Sequence, residues 1–193
     1  MSLPPLILAS QSPRRRQLLE EWGYQFVVQP PDDAAETGCC SGESAAELVA
    51  RLALQKAKNI ALKTERGLVL GCDTVADCGG EILGKPVDCE HAGRMLRLMR
   101  NQVHRVLSGV CLWQRPSNEK IVQVDVTELR MDDLSDQQIE DYLQTDAWIG
   151  KAGAFGYQDG LDWVHIVRGS ESNVVGLPME RLADMLEKIV SKE

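Results

Sequence analysis

Leu6-Ile7-Leu8-Ala9-Ser10-Gln11-Ser12-Pro13-Arg14-Arg15-Arg16-Gln17-Leu18-Leu19 is the stretch from which the architecture can be read. An uninterrupted run of apolar residues reads as a strand buried on both faces. Ser12 suits a helix N-cap. Pro13 suits the first helical position, where its missing N–H is one the helix would not use. Leu18, Leu19 and Trp22 then share one helical face, and Gly23 can end the helix. A strand that passes through a short serine turn into a helix is the opening unit of an α/β fold.

The rest of the chain continues the alternation. Residues 29–43 carry Pro, Asp, Gly and Ser and read as a loop. Ser44 with Glu47 forms a capping box for a long helix carrying Leu48, Leu52 and Ile60 and ending near Gly67. Leu68 to Val75 reads as a second buried strand, turned by Gly79-Gly80 into a hairpin through Ile82-Leu83. A helix over 89–100 carries Met95, Leu96 and Met99. Val103 to Trp113 is a strand. Ile121 to Met131 alternates Val122, Val124 and Val126 with Gln123, Asp125 and Thr127, as a half-exposed strand does. Ser135 with Gln138 caps a short helix to about Gln144. Gly150 to Gly160 is a glycine-rich loop, Trp163 to Val167 a strand, and Pro178 opens a last helix with Leu182, Met185, Leu186 and Ile189. The long hairpin breaks the strict βα order. The predicted class is therefore α/β with a mixed twisted sheet and flanking helices, residues 1–193 forming one domain with room for two lobes around a cleft.

Composition narrows the function. The 193 residues include 44% hydrophobic ones, enough for a sizeable core, and the formal net charge is −8. A protein that coats nucleic acid is usually basic, so no nucleic-acid polymer is expected, and any local basic cluster becomes informative. No apolar run reaches the ~18 residues that span a membrane, and no secretory leader is visible. The cysteines are Cys39, Cys40, Cys72, Cys78, Cys89 and Cys111; none forms a Cys-x-x-Cys, so zinc is not expected. They read as free thiols of a reducing compartment, the cytoplasm. His91, His104 and His165 are scattered without a Ser or Cys partner, and no nucleophile elbow is present.

Several residues point to chemistry. An arginine triplet at a helix N-terminus repels the partial positive charge of that end. A strand–serine turn–helix start aims backbone N–H groups, hydroxyls and guanidinium forks at one point, which a polyphosphate would satisfy. The alternative is a solvated basic turn. Asp73 lies inside the apolar run Leu68-Val69-Leu70-Gly71-Cys72-Asp73-Thr74-Val75. A carboxylate there is costly unless paired or metal-bound, so it reads as a general base or metal ligand, or as an acid satisfied by a neighbour. Thr74 beside it offers a hydroxyl. Gly84-Lys85-Pro86 follows the hairpin, which returns Lys85 near Asp73 as a phosphate contact or a surface lysine. Lys56, i+4 from Leu52, shares the helix's inner face or is solvated. In the glycine-rich loop Gln158 is placed to read a base edge, its amide being both donor and acceptor. The loop lacks the Gly-Lys-Ser/Thr ending of a Walker motif, which disfavours a γ-phosphate NTPase. Glu36 sits in an acidic loop with Asp32 and Asp33.

Together these stretches resemble the Maf family of nucleotide pyrophosphatases. The matching pieces run in the family's order: Leu8 to Arg15, Arg51-Leu52-Ala53 through Lys56-Ala57, Gly71 to Val75, Gly84-Lys85-Pro86, His104 to Val110, Lys151 to Gln158, and Val175 to Pro178. The resemblance implies an α/β fold with two lobes around a nucleotide cleft, often a homodimer. It implies a divalent metal, Mg²⁺ or Mn²⁺, and cleavage between the α- and β-phosphates. It makes Asp73 the proton acceptor and a metal contact, places Glu36 near the acidic metal-linked position, and makes Ser10, Arg14, Arg15, Lys56 and Lys85 substrate contacts. Arg14, Thr74 and Gln158 resemble the specificity positions of the subfamily acting on dTTP and UTP. The subfamily preferring 7-methyl-GTP has Trp, Gln and Glu there. Tyr157 stands where a smaller aliphatic residue is common, and Cys72 where Ala or Ser is usual. The expected function is hydrolysis of dTTP or UTP to the monophosphate and pyrophosphate; the alternative is a nucleotide-binding regulator of septum formation.

Overall fold

The structure is a computed structural model and describes residues 4–32 and 42–190. Its strands are β1 (Leu6–Ala9), β2 (Phe26–Val28), β3 (Gly67–Cys78), β4 (Glu81–Leu83), β5 (Val103–Arg115), β6 (Lys120–Met131) and β7 (Val164–Arg168). Its helices are α1 (Pro13–Glu21), α2 (Ala45–Ala61), α3 (Cys89–Met99), α4 (Asp136–Leu143), α5 (Glu171–Val175) and α6 (Met179–Val190). The seven strands make one sheet in the order β2-β1-β3-β5-β6-β7, with β4 paired to β3. β1 is parallel to β2 and β3, and the remaining pairings are antiparallel, so the sheet is mixed, as the hairpin signals.

The two-residue period of the strands sorts the side chains between the faces. Leu6, Leu8, Leu68, Leu70 and Cys72 pack with Leu18 and Leu19 of α1 and Leu182 and Met185 of α6. Ile7, Ala9 and Val69 point the other way, onto Ala53, Ala57 and Ile60 of α2. Two glycines let α2 lie this close. A Cβ on Gly71 would sit 2.7 Å from the Ala57 nitrogen, and one on Gly109 would sit 2.7 Å from the Ala50 nitrogen. Beyond the reach of α2, the far end of β3 carries a separate cluster with α3, α4, Trp148 and Phe155.

The capping boxes at Ser44–Glu47 and Ser135–Gln138 form as the sequence signals, each with both reciprocal bonds. Other details differ. Ser12 occupies the N-cap position of α1, yet its side chain caps nothing; its N–H instead donates to Ser10 Oγ at 3.2 Å. α2 stops at Ala61, well before Gly67. The valines of β6 do not share one environment. Val122 and Val124 pack under α2, whereas Val126 runs past the helix start and is 42% exposed, and neighbouring Thr127 is buried. The strand β2 and the helix α5 carry no periodic signal in so few residues.

Candidate active site

The site lies where β1 ends and β3 continues past it. β3 sets Asp73 on the α2 face and Thr74 on the opposite one, so the two side chains have different partners. Thr74 Oγ1 lies 2.8 Å from Ser108 Oγ and donates to the Gly176 carbonyl at 3.2 Å. Arg15 reaches across from α1. Its Nε donates to Gly176 O at 2.8 Å, Nη1 to Ser10 Oγ at 3.1 Å and Nη2 to Thr74 Oγ1 at 3.1 Å. The guanidinium therefore ties together the end of β1, the middle of β3 and the turn after α5. The Cys72 thiol donates to the same Gly176 carbonyl at 3.3 Å, and burial pushes its pKa up. These groups make a polar floor whose donors and acceptors are matched within the protein.

On the α2 face, Lys56 Nζ donates to Asp73 Oδ1 at 2.6 Å. Lys56 is buried, at 4% exposure, so the inner-face placement holds and the solvated one does not. Asp73 Oδ2 takes no hydrogen bond from a described residue, which leaves one carboxylate oxygen available.

Above this floor is a cavity of about 510 Å³. Its wall includes Ser10, Arg14, Arg15, Lys56, Thr74, Lys85 and Gln158, so seven of the sequence-predicted residues meet in one space, and Asp73 adjoins it through Lys56. The arginine triplet splits. Arg14 lines the cavity and donates from Nη2 to Gly150 O at 3.0 Å, Arg15 turns inward, and Arg16 faces solvent on Glu20 at 2.8 Å. Successive helical residues are ~100° apart, so one triplet cannot aim three side chains at one point. Burial, then the charge of Arg15, lowers the Arg14 pKa from its ordinary value, and Asp159 partly offsets this. Lys85 and Gln158 are exposed on the rim. Glu36 and Asp33 lie outside the described residues. Asp32 also reaches the wall, held by Lys63 at 2.7 Å and by Asn59.

The donors suit a hard cation. Carboxylate oxygen is the ligand chemistry of Mg²⁺ and Mn²⁺, and Mg²⁺ commonly takes one or two carboxylates with substrate phosphates completing its shell. Among the described residues no three His, Cys, Asp or Glu cluster as a self-sufficient metal site. Asp73, with its spare oxygen, fits the first kind of site and not the second.

Three participants escape the sequence reading as site residues. Ser108 is a fully buried hydroxyl within an apolar strand, a signal as visible in sequence as Asp73. Gly176 acts only through its carbonyl, for which sequence offers no signal. Lys151 lines the cavity and forms an ion pair with Asp159.

Comparison with known proteins adds four findings. The family model described as "Maf-like protein" matches residues 5–189. A dTTP/UTP pyrophosphatase of Rhodopirellula baltica is 57% identical over 94% of this chain and 81% of its own length. A dTTP/UTP pyrophosphatase of Ruminiclostridium cellulolyticum is 38% identical over 97% of both chains. A solved structure titled nucleoside-triphosphatase / dITP/XTP pyrophosphatase, from Mycobacterium abscessus, overlaps 97% of each chain at 12% identity with a TM-score of 0.44, too low to bear on fold or chemistry.

Proposed function

We propose, for a chain that belongs to the Maf family, that this cavity hydrolyses dTTP and UTP to the nucleoside monophosphate and pyrophosphate. The observation that carries the reading is the partly buried carboxylate of Asp73, held by the cavity-lining Lys56 beside a cavity that Arg14, Lys85 and Lys151 also wall. In an acidic protein, that local concentration of cations calls for a polyanion. The match to relatives named for dTTP and UTP supplies the substrate class.

The chemistry follows from the placement. Asp73 Oδ2 accepts a proton from a water that attacks the α-phosphorus in line with the departing oxygen. Lys56 holds the other oxygen and fixes the carboxylate plane. Arg14 and Lys85 face the leaving pyrophosphate and neutralise the charge that develops there. Arg15 acts one step removed, by holding Ser10 and Thr74 in place. Gln158 and Thr74 border the sugar-base end, with Val106 and Phe155 as an apolar wall. Mg²⁺ or Mn²⁺ on Asp73, with Glu36 as a further carboxylate, would supply charge neutralisation to the phosphates.

We read the protein as a cytoplasmic homodimer of single-domain subunits, each with two lobes flanking the cavity. The four described cysteines Cys72, Cys78, Cys89 and Cys111 are free thiols, which supports a reducing compartment. Among the described residues no helix is long and apolar enough to cross a membrane. Exposed Val103, Val126 and Val167 on β5, β6 and β7 support self-association, which light scattering tests. The function itself is tested by product analysis. Pyrophosphate from dTTP and UTP supports it, orthophosphate points to γ-phosphate cleavage, and tight binding without products points to a regulator.

A further inference from the structure

The glycine-rich loop contributes Lys151 to the cavity wall. Lys151 follows Gly150, whose carbonyl accepts from Arg14 at 3.0 Å, so Lys151 enters the cavity wall beside that arginine. Its side chain is only 12% exposed. Its ammonium pairs with Asp159, eight residues on, across the turn of Gly153 to Gly156. Gly156 makes room for this pair. A Cβ there would sit 2.8 Å from Lys151 Cε and closer still to both charged ends. Gly156 has φ −121°, a conformation any residue adopts, so the glycine serves space and not backbone freedom.

Asp159 also acts on Arg14, whose pKa it raises against the effects of burial and Arg15. One carboxylate is thus the counter-charge of two cavity cations. Its own side chain is 32% exposed, far more open to water than the lysine it holds. An exposed carboxylate that loses its partner is resolvated cheaply, whereas the sheltered ammonium of Lys151 needs a new anion.

We propose that Lys151 is a phosphate-binding residue of this cavity, and that Asp159 is the internal anion a polyphosphate displaces when it binds. The proposal rests on the cavity being a polyphosphate site, as the proposed function requires. Before binding, the loop is charge-balanced and Lys151 is held toward the cavity. On binding, a phosphate oxygen takes the ammonium and Asp159 swings to water. The two residues therefore affect affinity in opposite directions, which a merely structural ion pair would not do.

The test measures inorganic tripolyphosphate binding by titration calorimetry, which needs no turnover, and the KM and kcat for dTTP. Three proteins are compared: wild type, Lys151→Met and Asp159→Asn, with thermal midpoints recorded for each. Lys151→Met is expected to weaken tripolyphosphate binding and raise KM by roughly tenfold, the size of one charge-assisted contact. Asp159→Asn is expected to strengthen binding by about two- to threefold, by removing the competing anion. Both variants lose the same pair, so both midpoints fall together. Gly156→Ala, which wedges the pair apart with both charges kept, is expected to follow Asp159→Asn. Equal weakening in Lys151→Met and Asp159→Asn, or unchanged affinity in Lys151→Met, would overturn the proposal while a binding-competent wild type leaves the proposed function standing. A wild type that binds no tripolyphosphate and releases no pyrophosphate would overturn both.

Discussion

Lys56 Nζ donates to Asp73 Oδ1 at 2.6 Å across the seam between α2 and β3, with side-chain exposures of 6% and 14%. The pair joins the protein's stability to its chemistry, because the residue that stabilises Asp73 also fixes which oxygen of Asp73 is left to act.

Removing the two partners has unequal consequences. Lys56→Met leaves a sheltered carboxylate without its counter-charge and is expected to cost about 3 kcal/mol in urea unfolding. Asp73→Asn keeps an oxygen that accepts from Lys56, so its stability loss is smaller. Its pyrophosphate release is expected to fall by ~100-fold or more, the scale of a general base. A stable Lys56→Met would show that the pair is not a structural contact.

The adjacent arginines separate in the same way. Arg14→Ala removes a cavity cation tied to the fold by one exposed bond, so KM rises roughly tenfold with little change in thermal midpoint. Arg15→Ala removes donors to Ser10, Thr74 and Gly176, and is expected to lose about 2–4 kcal/mol together with kcat. Thermal unfolding alongside steady-state kinetics distinguishes the two. A high midpoint in Arg15→Ala with only KM altered would return Arg15 to direct phosphate contact.

The packing of α2 has its own test. Gly109→Ala drives a methyl into the backbone of Val49 and Ala50, which cannot yield as a side-chain tip can. A loss of more than about 3 kcal/mol is expected, or failure to fold. Gly84→Ala meets nothing within 4 Å and serves as the control, expected within about 0.5 kcal/mol of wild type. Comparable urea midpoints for the two variants would contradict the close approach.

How much of this was legible depends on whether the cause is local. The start of α1, the caps of α2 and α4 and the β3–β4 hairpin rest on neighbouring residues and were readable. β2 is three residues long, with Val27 53% exposed, and is a strand because β1 pairs with it. That is a long-range fact with no local signature. The buried carboxylate of Asp73 was visible as an interruption of an apolar run. The burial of Lys56 was not, since it follows from two glycines on separate strands that let α2 settle onto the sheet. The inward turn of Arg15 was equally hidden, because its acceptors lie at residues 10, 74 and 176.

Stability should also follow pH through His104. The ring is 1% exposed, packs edge-on to Phe155, and neither ring nitrogen makes a hydrogen bond of normal geometry. Burial lowers its pKa from 6.5 to about 4, against a smaller opposing effect of the Gln102 backbone. The unfolded chain therefore binds the proton first as pH falls. This contribution is complete above about pH 6.5 and is lost as pH falls toward about 4, to a total of about 3 kcal/mol. Urea midpoints at pH 7 and pH 5 should differ less in His104→Phe than in wild type. An identical pH dependence in the two would place the acid sensitivity elsewhere.

The decisive measurement of the role of Asp73 is pyrophosphate release from dTTP, UTP, CTP, GTP and 7-methyl-GTP with Mg²⁺ or Mn²⁺, by wild type and Asp73→Asn side by side. Fastest release from dTTP and UTP by wild type, with Asp73→Asn folded and nearly inactive, is the predicted result. No pyrophosphate from any nucleotide with folded wild-type protein, or undiminished release by Asp73→Asn, would contradict it.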